Sequence, residues 1–179
     1  MKLDMIQAEQ QVWMGVVEAT QLGDIWTAVS LNGLVAVNLW GEREPFVAEV
    51  HKLTGVMPAC DEEKTAEIAH QLRQYLNKKL TDFTVPIDWS VMTQFQQTAM
   101  RAVCGIPYGQ VRTYLDIANL LGKPKAIRAV GRANATNPMP IVIPCHRVLG
   151  SDGKLHGYSA PGGLETKAWL LRLEGSWLL

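Results

Sequence analysis

The chain has 179 residues, 47% hydrophobic and 19% charged, and its 17 Lys/Arg balance 17 Asp/Glu. That length holds one or two compact domains, and that composition excludes a disordered tail or a coiled coil. The net charge of 0 argues against a polyanionic partner only until it is mapped, for residues 1–89 carry 7 basic against 13 acidic side chains and residues 90–179 carry 10 against 4. The expected division is an acidic α+β N-terminal domain, 1–89, joined to a basic C-terminal domain, 90–179, whose charge suits phosphate.

In the N-terminal half, Val12–Val17, Asp24–Leu31 and Leu34–Trp40 read as strands, and Asn32-Gly33 between the last two predicts a type I′ hairpin turn with both residues at positive φ. The uncharged run Ile25–Gly41 is split by that turn and falls short of a membrane span. A short helix is expected over Pro45–Thr54 with Pro first, and a longer one over Glu62–Leu80, where Ala66, Ala69, Leu72, Leu76 and Leu80 share a face. Thr81–Ser90, with Pro86, reads as the link between the halves. The fold class expected is α+β: a small N-terminal three-stranded sheet with helices, followed by a mostly helical C-terminal domain containing a helix-turn-helix.

That second domain opens on Thr93 with Gln96 three residues on, a capping box for a helix ending at Cys104-Gly105. Ile106-Pro107-Tyr108-Gly109 is a turn, Thr113 and Asp116 cap the next helix, Gly122-Lys123-Pro124 ends it, and Lys125–Ala135 is the helix after. Two short helices joined through a glycine turn are, on that pattern alone, more often an ordinary helical hairpin than a DNA reader. Charge favours the reader, because Arg101–Arg147 holds seven cations and one acid, Asp116. Small residues on the second helix, Ala126, Ala129 and Gly131, suit either close packing or close approach to a groove.

Three well-separated cysteines, Cys60, Cys104 and Cys145, define neither a disulfide framework nor a zinc site, and fit a reducing setting. The start MKLDMIQAEQ lacks the apolar core of a secretory leader, so the expected location is the cytoplasm, or the nucleus in a eukaryote. Cys60 and Cys104 read as inert buried thiols. Cys145 differs, because Ile141–Val148 reads as a buried strand delivering Cys145, His146 and Arg147 in succession. A free thiol is only a few per cent thiolate at neutral pH, so a nucleophilic cysteine needs a base and a group to orient that base. Neighbours on a strand face opposite ways, so His146 needs a turn or a bridging water to serve Cys145. Glu165 and Glu174 are the carboxylates available to hold it.

The segment Phe95–Gly175 resembles the O6-alkylguanine-DNA alkyltransferases, the methylated-DNA–protein-cysteine methyltransferases. The resemblance is carried by Ile106-Pro107-Tyr108-Gly109, Tyr114, Arg128-Ala129-Val130-Gly131, Asn137-Pro138, Pro140, Ile143–Val148, Gly157-Tyr158-Ser159, Lys167–Leu171 and Glu174-Gly175. It implies Cys145 as alkyl acceptor, His146 as base through a water, Glu174 holding the imidazole, and Asn137 tying the recognition helix to the active-site segment. Tyr114 would press on the target phosphate and donate to the departing base. Arg128 would fill the stack left by a flipped base, Pro140, Val148, Tyr158 and Ser159 would shape the pocket, and Lys123, Ser151, Ala126, Ala129 and Gly131 would meet DNA. The implied function is DNA repair by direct, stoichiometric transfer from O6-alkylguanine, and O4-alkylthymine, to Cys145. A thioether has no good leaving group, so the protein is expected to act once, as a monomer on double-stranded DNA, without cofactor or metal.

Some features depart from that pattern. Ala160-Pro161 looks like an insertion in the pocket lid, Ile127 is bulkier than the alanine expected there, and His156 is expected to be exposed and without a partner. Other readings of the residues are an alkylated-base sensor without chemistry, a regulator whose Cys145 senses alkylation, and a cysteine hydrolase. The sensor lacks the acceptor cysteine that Cys145 supplies, the regulator needs a further domain, and the hydrolase would turn over.

Overall fold

The structure, a computed structural model, describes residues 11–158 and 160–176. Three antiparallel strands, β1 (Val12–Thr20), β2 (Gly23–Ser30) and β3 (Gly33–Leu39), form the expected meander. After α1 (Arg43–Thr54), a two-residue strand, β4 (Ala59–Cys60), adds itself parallel to β1, so the sheet has four strands in the order β3-β2-β1-β4. α2 (Glu62–Leu76) comes next, capped by Asp61, whose side chain accepts from the Lys64 amide. Phe46 and Val50 of α1 pack with Val12, Met14 and Val35 on one face of the sheet. Ile68 and Leu72 of α2 pack with Val17, Ile25 and Val37 on the other. Burial on both faces explains why β3 is a continuous apolar run instead of an alternating one.

The hairpin departs from expectation. Ser30 pairs with Gly33, so the turn residues are Leu31 and Asn32, and Asn32 does not take positive φ. Gly33 stands at φ 131°, where a Cβ would lie 2.4 Å from the carbonyl oxygen of Pro86. The glycine is therefore required by the link crossing over it. The α1 helix starts two residues before Pro45, and α2 ends at Leu76, where Asn77 caps and Lys78 turns left-handed at φ 58°.

The C-terminal half comprises α3 (Gln94–Cys104), β5 (Arg112–Thr113), α4 (Tyr114–Leu120), α5 (Ile127–Ala135), β6 (Val148–Leu149) and α6 (Gly163–Leu173). Thr93 caps α3, but the Gln96 side chain reaches Thr136 and not the cap, so the reciprocal capping box is formed by Thr113 and Asp116 at α4. α4 and α5, joined by a 3₁₀ turn over Pro124–Ala126, are the helix-turn-helix. One hydrophobic cluster runs through both halves, taking Leu72 and Tyr75 from the first and Met100, Ile143 and Leu170 from the second. The edge of β3 is tied to segments far along the chain: Leu34 donates to Pro86 O and accepts from the Asp88 amide, and Val37 donates to Pro138 O. Among the described residues no helix is long and apolar enough to cross a membrane.

Candidate active site

The expected strand over Ile141–Val148 is instead a tight turn as far as Arg147, with Val148 opening β6. Pro138, Pro140 and Pro144 interrupt any ladder, because each lacks an amide donor. Ile143 N donates to Met139 O and Cys145 N to Ile143 O, and Cys145–Arg147 form one 3₁₀ turn. Ile141 enters it at φ 75°, a left-handed conformation that costs a β-branched residue on the order of 1–3 kcal/mol. The Asn137 side chain braces the turn from inside: Nδ2 donates to Ile143 O at 2.9 Å and to Cys145 Sγ at 3.1 Å, while Oδ1 accepts from Met139 N at 3.0 Å. A 3₁₀ turn, not strand alternation, brings Cys145, His146 and Arg147 into one site.

All three are buried, and His146 and Arg147 share one carboxylate, that of Glu174. Glu174 Oε1 lies 2.8 Å from His146 Nε2, and Arg147 donates to both carboxylate oxygens through Nε and to Oε1 through Nη2. Arg147 Nη1 donates to Ile106 O at 2.6 Å, and Gly109 N to Glu174 Oε2 at 3.3 Å. Burial opposes the charge on Glu174, but the donations from His146 and Arg147 outweigh it and hold the carboxyl at about 2. Being ionised, it only accepts, so His146 Nε2 carries the hydrogen and Nδ1 is left with a bare lone pair. Nδ1 is buried and has no protein partner. Burial also lowers the His146 pKa, against the pull of Glu174, and favours the neutral imidazole. For Cys145, burial raises the thiol pKa, opposed by the Asn137 amide and the Lys167 charge.

Three residues of this centre were not anticipated as site members, the first being Arg147, which the sequence counts among the cations suited to phosphate and which is instead buried on Glu174. Tyr75, from α2, donates its hydroxyl to Glu174 Oε1 at 2.6 Å. Nothing in the sequence separates it from any aromatic on an apolar helix face. Lys167 is fully buried, donating to Val148 O at 2.7 Å and His156 O at 3.0 Å, and burial lowers its pKa to about 8. Its signal was available: a lysine among Ala168, Leu170 and Leu171, on the face of α6 that is buried.

A cavity of about 440 Å³, within the usual range for ligand pockets, is lined by Cys145, Asn137, Pro140 and Tyr158. Val148 is buried but does not line it; its carbonyl holds Lys167. Tyr158 has a buried hydroxyl without a protein partner. Ser159 lies outside the described residues. Ala160 and Pro161 form part of the wall, and the opposite wall, unforeseen, comes from Val37, Leu39 and Leu53 of the N-terminal half. Tyr114, at the start of α4, donates to His156 O at 3.3 Å and lies against Lys167 with 5.9 Å from ring centroid to Nζ. Arg128 and Ala129 are exposed on α5, Ala126 and Gly131 half-buried, and Lys123 and Ser151 exposed. Glu165 is exposed and takes no part, whereas Cys60 and Cys104 are exposed and not buried as expected. His156 is exposed but does have a partner, Asp152, at 2.9 Å. Among the described residues no group of His, Cys, Asp and Glu is arranged to hold a metal.

Known proteins share this architecture. The family model described as 6-O-methylguanine DNA methyltransferase, DNA binding domain, matches residues 94–176, and its ribonuclease-like domain matches residues 17–89. The inducible methylated-DNA–protein-cysteine methyltransferase of Bacillus subtilis is 42% identical over 153 residues, covering 84% of each chain. The crystal structure of the Mycobacterium tuberculosis O6-methylguanine methyltransferase superposes with a TM-score of 0.77 at 35% identity, covering 94% of this chain and 96% of that one. Mycobacterium tuberculosis OGT in complex with DNA gives 0.76 at 34% identity, covering 91% and 92%. A helix-turn-helix body carrying a braced cysteine belongs with DNA-acting transferases, and the chain belongs to the methylated-DNA–protein-cysteine methyltransferase family.

Proposed function

We propose that the chain repairs alkylated DNA by moving the alkyl group from O6 of guanine, and O4 of thymine, onto Cys145 in one irreversible step. DNA repair by methyl transfer to a cysteine follows from the family. The observation that carries the residue assignment is the arrangement at His146, whose Nε2 is bound to Glu174 while a bare, buried Nδ1 is left as acceptor. The Cys145 proton passes to Nδ1 through a water. The thiolate, held by the Asn137 amide, attacks the alkyl carbon, the carbon–oxygen bond breaks, and a proton from Tyr114 neutralises the departing guanine. Cys145 ends as a thioether with no leaving group, and the chemistry requires no metal or cofactor.

The target base must leave the duplex to reach the cavity. Arg128, exposed on α5, takes its place in the stack, with Ala126, Ala129 and Gly131 against the groove and Lys123 and Ser151 on phosphates. Gly131 supports this face: a Cβ there meets nothing within 4 Å, so protein packing does not explain the glycine. A mid-helix glycine costs about 0.5–1 kcal/mol relative to alanine. Gly131→Ala is therefore expected to raise stability by that amount in denaturant unfolding while weakening DNA binding several-fold in fluorescence anisotropy. Unchanged or tighter binding would remove Gly131 from the interface.

The function is tested with duplex DNA carrying O6-[³H-methyl]guanine. Label is expected on Cys145 by peptide mapping, with a ceiling of one per protein and one protein per duplex. Binding without transfer would make the protein a sensor, and release of label beyond one equivalent would make it a hydrolase.

A further inference from the structure

Glu174 receives more donors than a side chain that merely orients a histidine requires. Oε1 alone accepts from His146 Nε2 at 2.8 Å, Arg147 Nη2 at 2.9 Å and Tyr75 Oη at 2.6 Å. Arg147 neutralises the carboxylate and Gly109 caps its other oxygen, so the carboxylate does not depend on Tyr75 for compensation. What distinguishes the tyrosine is its geometry. Its hydroxyl shares Oε1 with the imidazole hydrogen and lies 3.5 Å from Nε2 itself. Because the hydroxyl proton is committed to an ionised carboxylate, the phenolic oxygen presents only lone pairs to Nε2. An imidazole with its hydrogen on Nδ1 would set a bare Nε2 against the carboxylate and the phenolic oxygen at once.

We propose that Tyr75 is a positioning residue for the transfer, contributed by the N-terminal half: its hydroxyl holds His146 in the tautomer that leaves Nδ1 free for the Cys145 proton, and dilutes the pull of Glu174 on that imidazole. The proposal rests on the assignment of Cys145 as acceptor and His146 as its base. It gives the N-terminal half a chemical part in the site beyond carrying a cavity wall. Withdrawing the tyrosine removes a weak acceptor 3.5 Å from Nε2 and a strong competitor 2.6 Å from Oε1; the shorter contact decides, so Oε1 binds Nε2–H more strongly and His146 becomes more basic. The groups facing His146 are Lys167 from α6 and Glu174 at its C-cap, Arg147 and Cys145 from its own turn, and Tyr75 from α2. Of these only Tyr75 is altered in the test. A more basic imidazole is protonated to higher pH, where it cannot accept from the thiol.

The experiment is the single-turnover rate of transfer from an O6-methylguanine duplex between pH 5 and 9, for the native protein, Tyr75→Phe and Phe83→Leu. Phe83 packs on the Tyr75 ring at 5.4 Å between centroids and makes no hydrogen bond to Glu174, so it reports loosened packing alone. In Tyr75→Phe the acid limb is expected to move up by about half a unit to one unit, with a loss of roughly threefold to tenfold at the acid end that shrinks above pH 8. Phe83→Leu should keep the native limb. Site-specific 3-fluorotyrosine at position 75, a stronger donor of the same shape, is expected to shift the limb the opposite way. A native limb in both Tyr75 variants, or a loss equal at every pH, overturns the proposal. Titration of His146 by ¹⁵N NMR in the DNA-free proteins reads the same shift and tautomer without the reaction. If the native protein transfers no label, the assignment of the acceptor fails, while the NMR comparison still decides for or against Tyr75.

Discussion

Cys145→Ala is expected to abolish alkyl transfer completely while leaving affinity for the damaged duplex within about threefold of native. No other thiol can stand in for it. Cys60 lies on β4 and Cys104 at the end of α3, both exposed and neither braced by the Asn137 amide beside a His–Glu pair. The substitution also leaves its surroundings satisfied: Asn137 Nδ2 keeps its bond to Ile143 O and Oδ1 keeps Met139 N. Removing one sulfur from a buried site costs on the order of 1 kcal/mol, so thermal unfolding should show a folded protein. Electrophoretic mobility shift with O6-methylguanine duplex, beside the labelled transfer assay, measures both properties. Residual transfer in the alanine variant would move the acceptor elsewhere, and loss of binding would make Cys145 a structural element of the DNA complex.

The largest expected loss of stability comes from Glu174→Gln. Arg147 is buried, with Glu174 as its counter-ion and, among the described residues, Ile106 O as its other acceptor. Leaving such a charge without its partner costs about 3–5 kcal/mol, a large part of the 5–15 kcal/mol typical of a domain. An amide also turns hydrogens toward groups that are themselves donors, Gly109 N and Arg147 among them. Transfer should fall with stability because His146 exchanges an ionised acceptor for a neutral amide oxygen, which holds the Nε2 hydrogen less firmly and supports the imidazolium less. The acid dependence carries a sign. The folded Glu174 carboxyl, at about 2, lies below its ordinary value of 4.5, so its contribution is complete above pH 4.5 and is lost as pH falls toward 2. Urea midpoints from pH 7 to pH 3 should therefore converge for native protein and Glu174→Gln. Arg147→Met in the Glu174→Gln background is expected to restore part of the stability and none of the transfer, separating the buried charge from the chemistry. Equal midpoints for native and Glu174→Gln at pH 7 would refute this account.

Local signals in the sequence carried the elements where local physics decides them. Asp116, three residues after Thr113, gave a reciprocal cap that the structure contains, and the apolar spacing around Leu72 and Leu76 gave α2. Where a neighbour distant in the chain decides, local reading failed. Gly33 looked like half of an Asn-Gly turn, but its place is set by the Pro86 carbonyl passing over it. The apolar run Ile141–Ile143 has the composition of a strand, yet prolines and the Asn137 brace fold it into a turn. Cys145 and His146 stood out because a thiol beside an imidazole carries its chemistry in residue type and order, whereas Asn137, and Glu174 in preference to Glu165, came from the family resemblance. Tyr75 was not, since its role exists only once α2 and α6 meet 99 residues apart in the chain. The cavity wall of Val37, Leu39 and Leu53 was hidden for the same reason.

The seal on β3 has a consequence for solubility. Leu34-Val35-Ala36-Val37 is short, apolar and uncharged, the kind of edge that recruits identical strands from other molecules. Its outer amides at Leu34 and Val37 are taken by Pro86 and Pro138. The link at Pro86 and the Pro138 segment of the C-terminal half thus act as guards on the sheet, and any event that pulls the Pro138 segment away bares an aggregation-prone edge at the cavity that Cys145 lines. Self-association would then accompany local unfolding of the active site, before the rest of the core gives way.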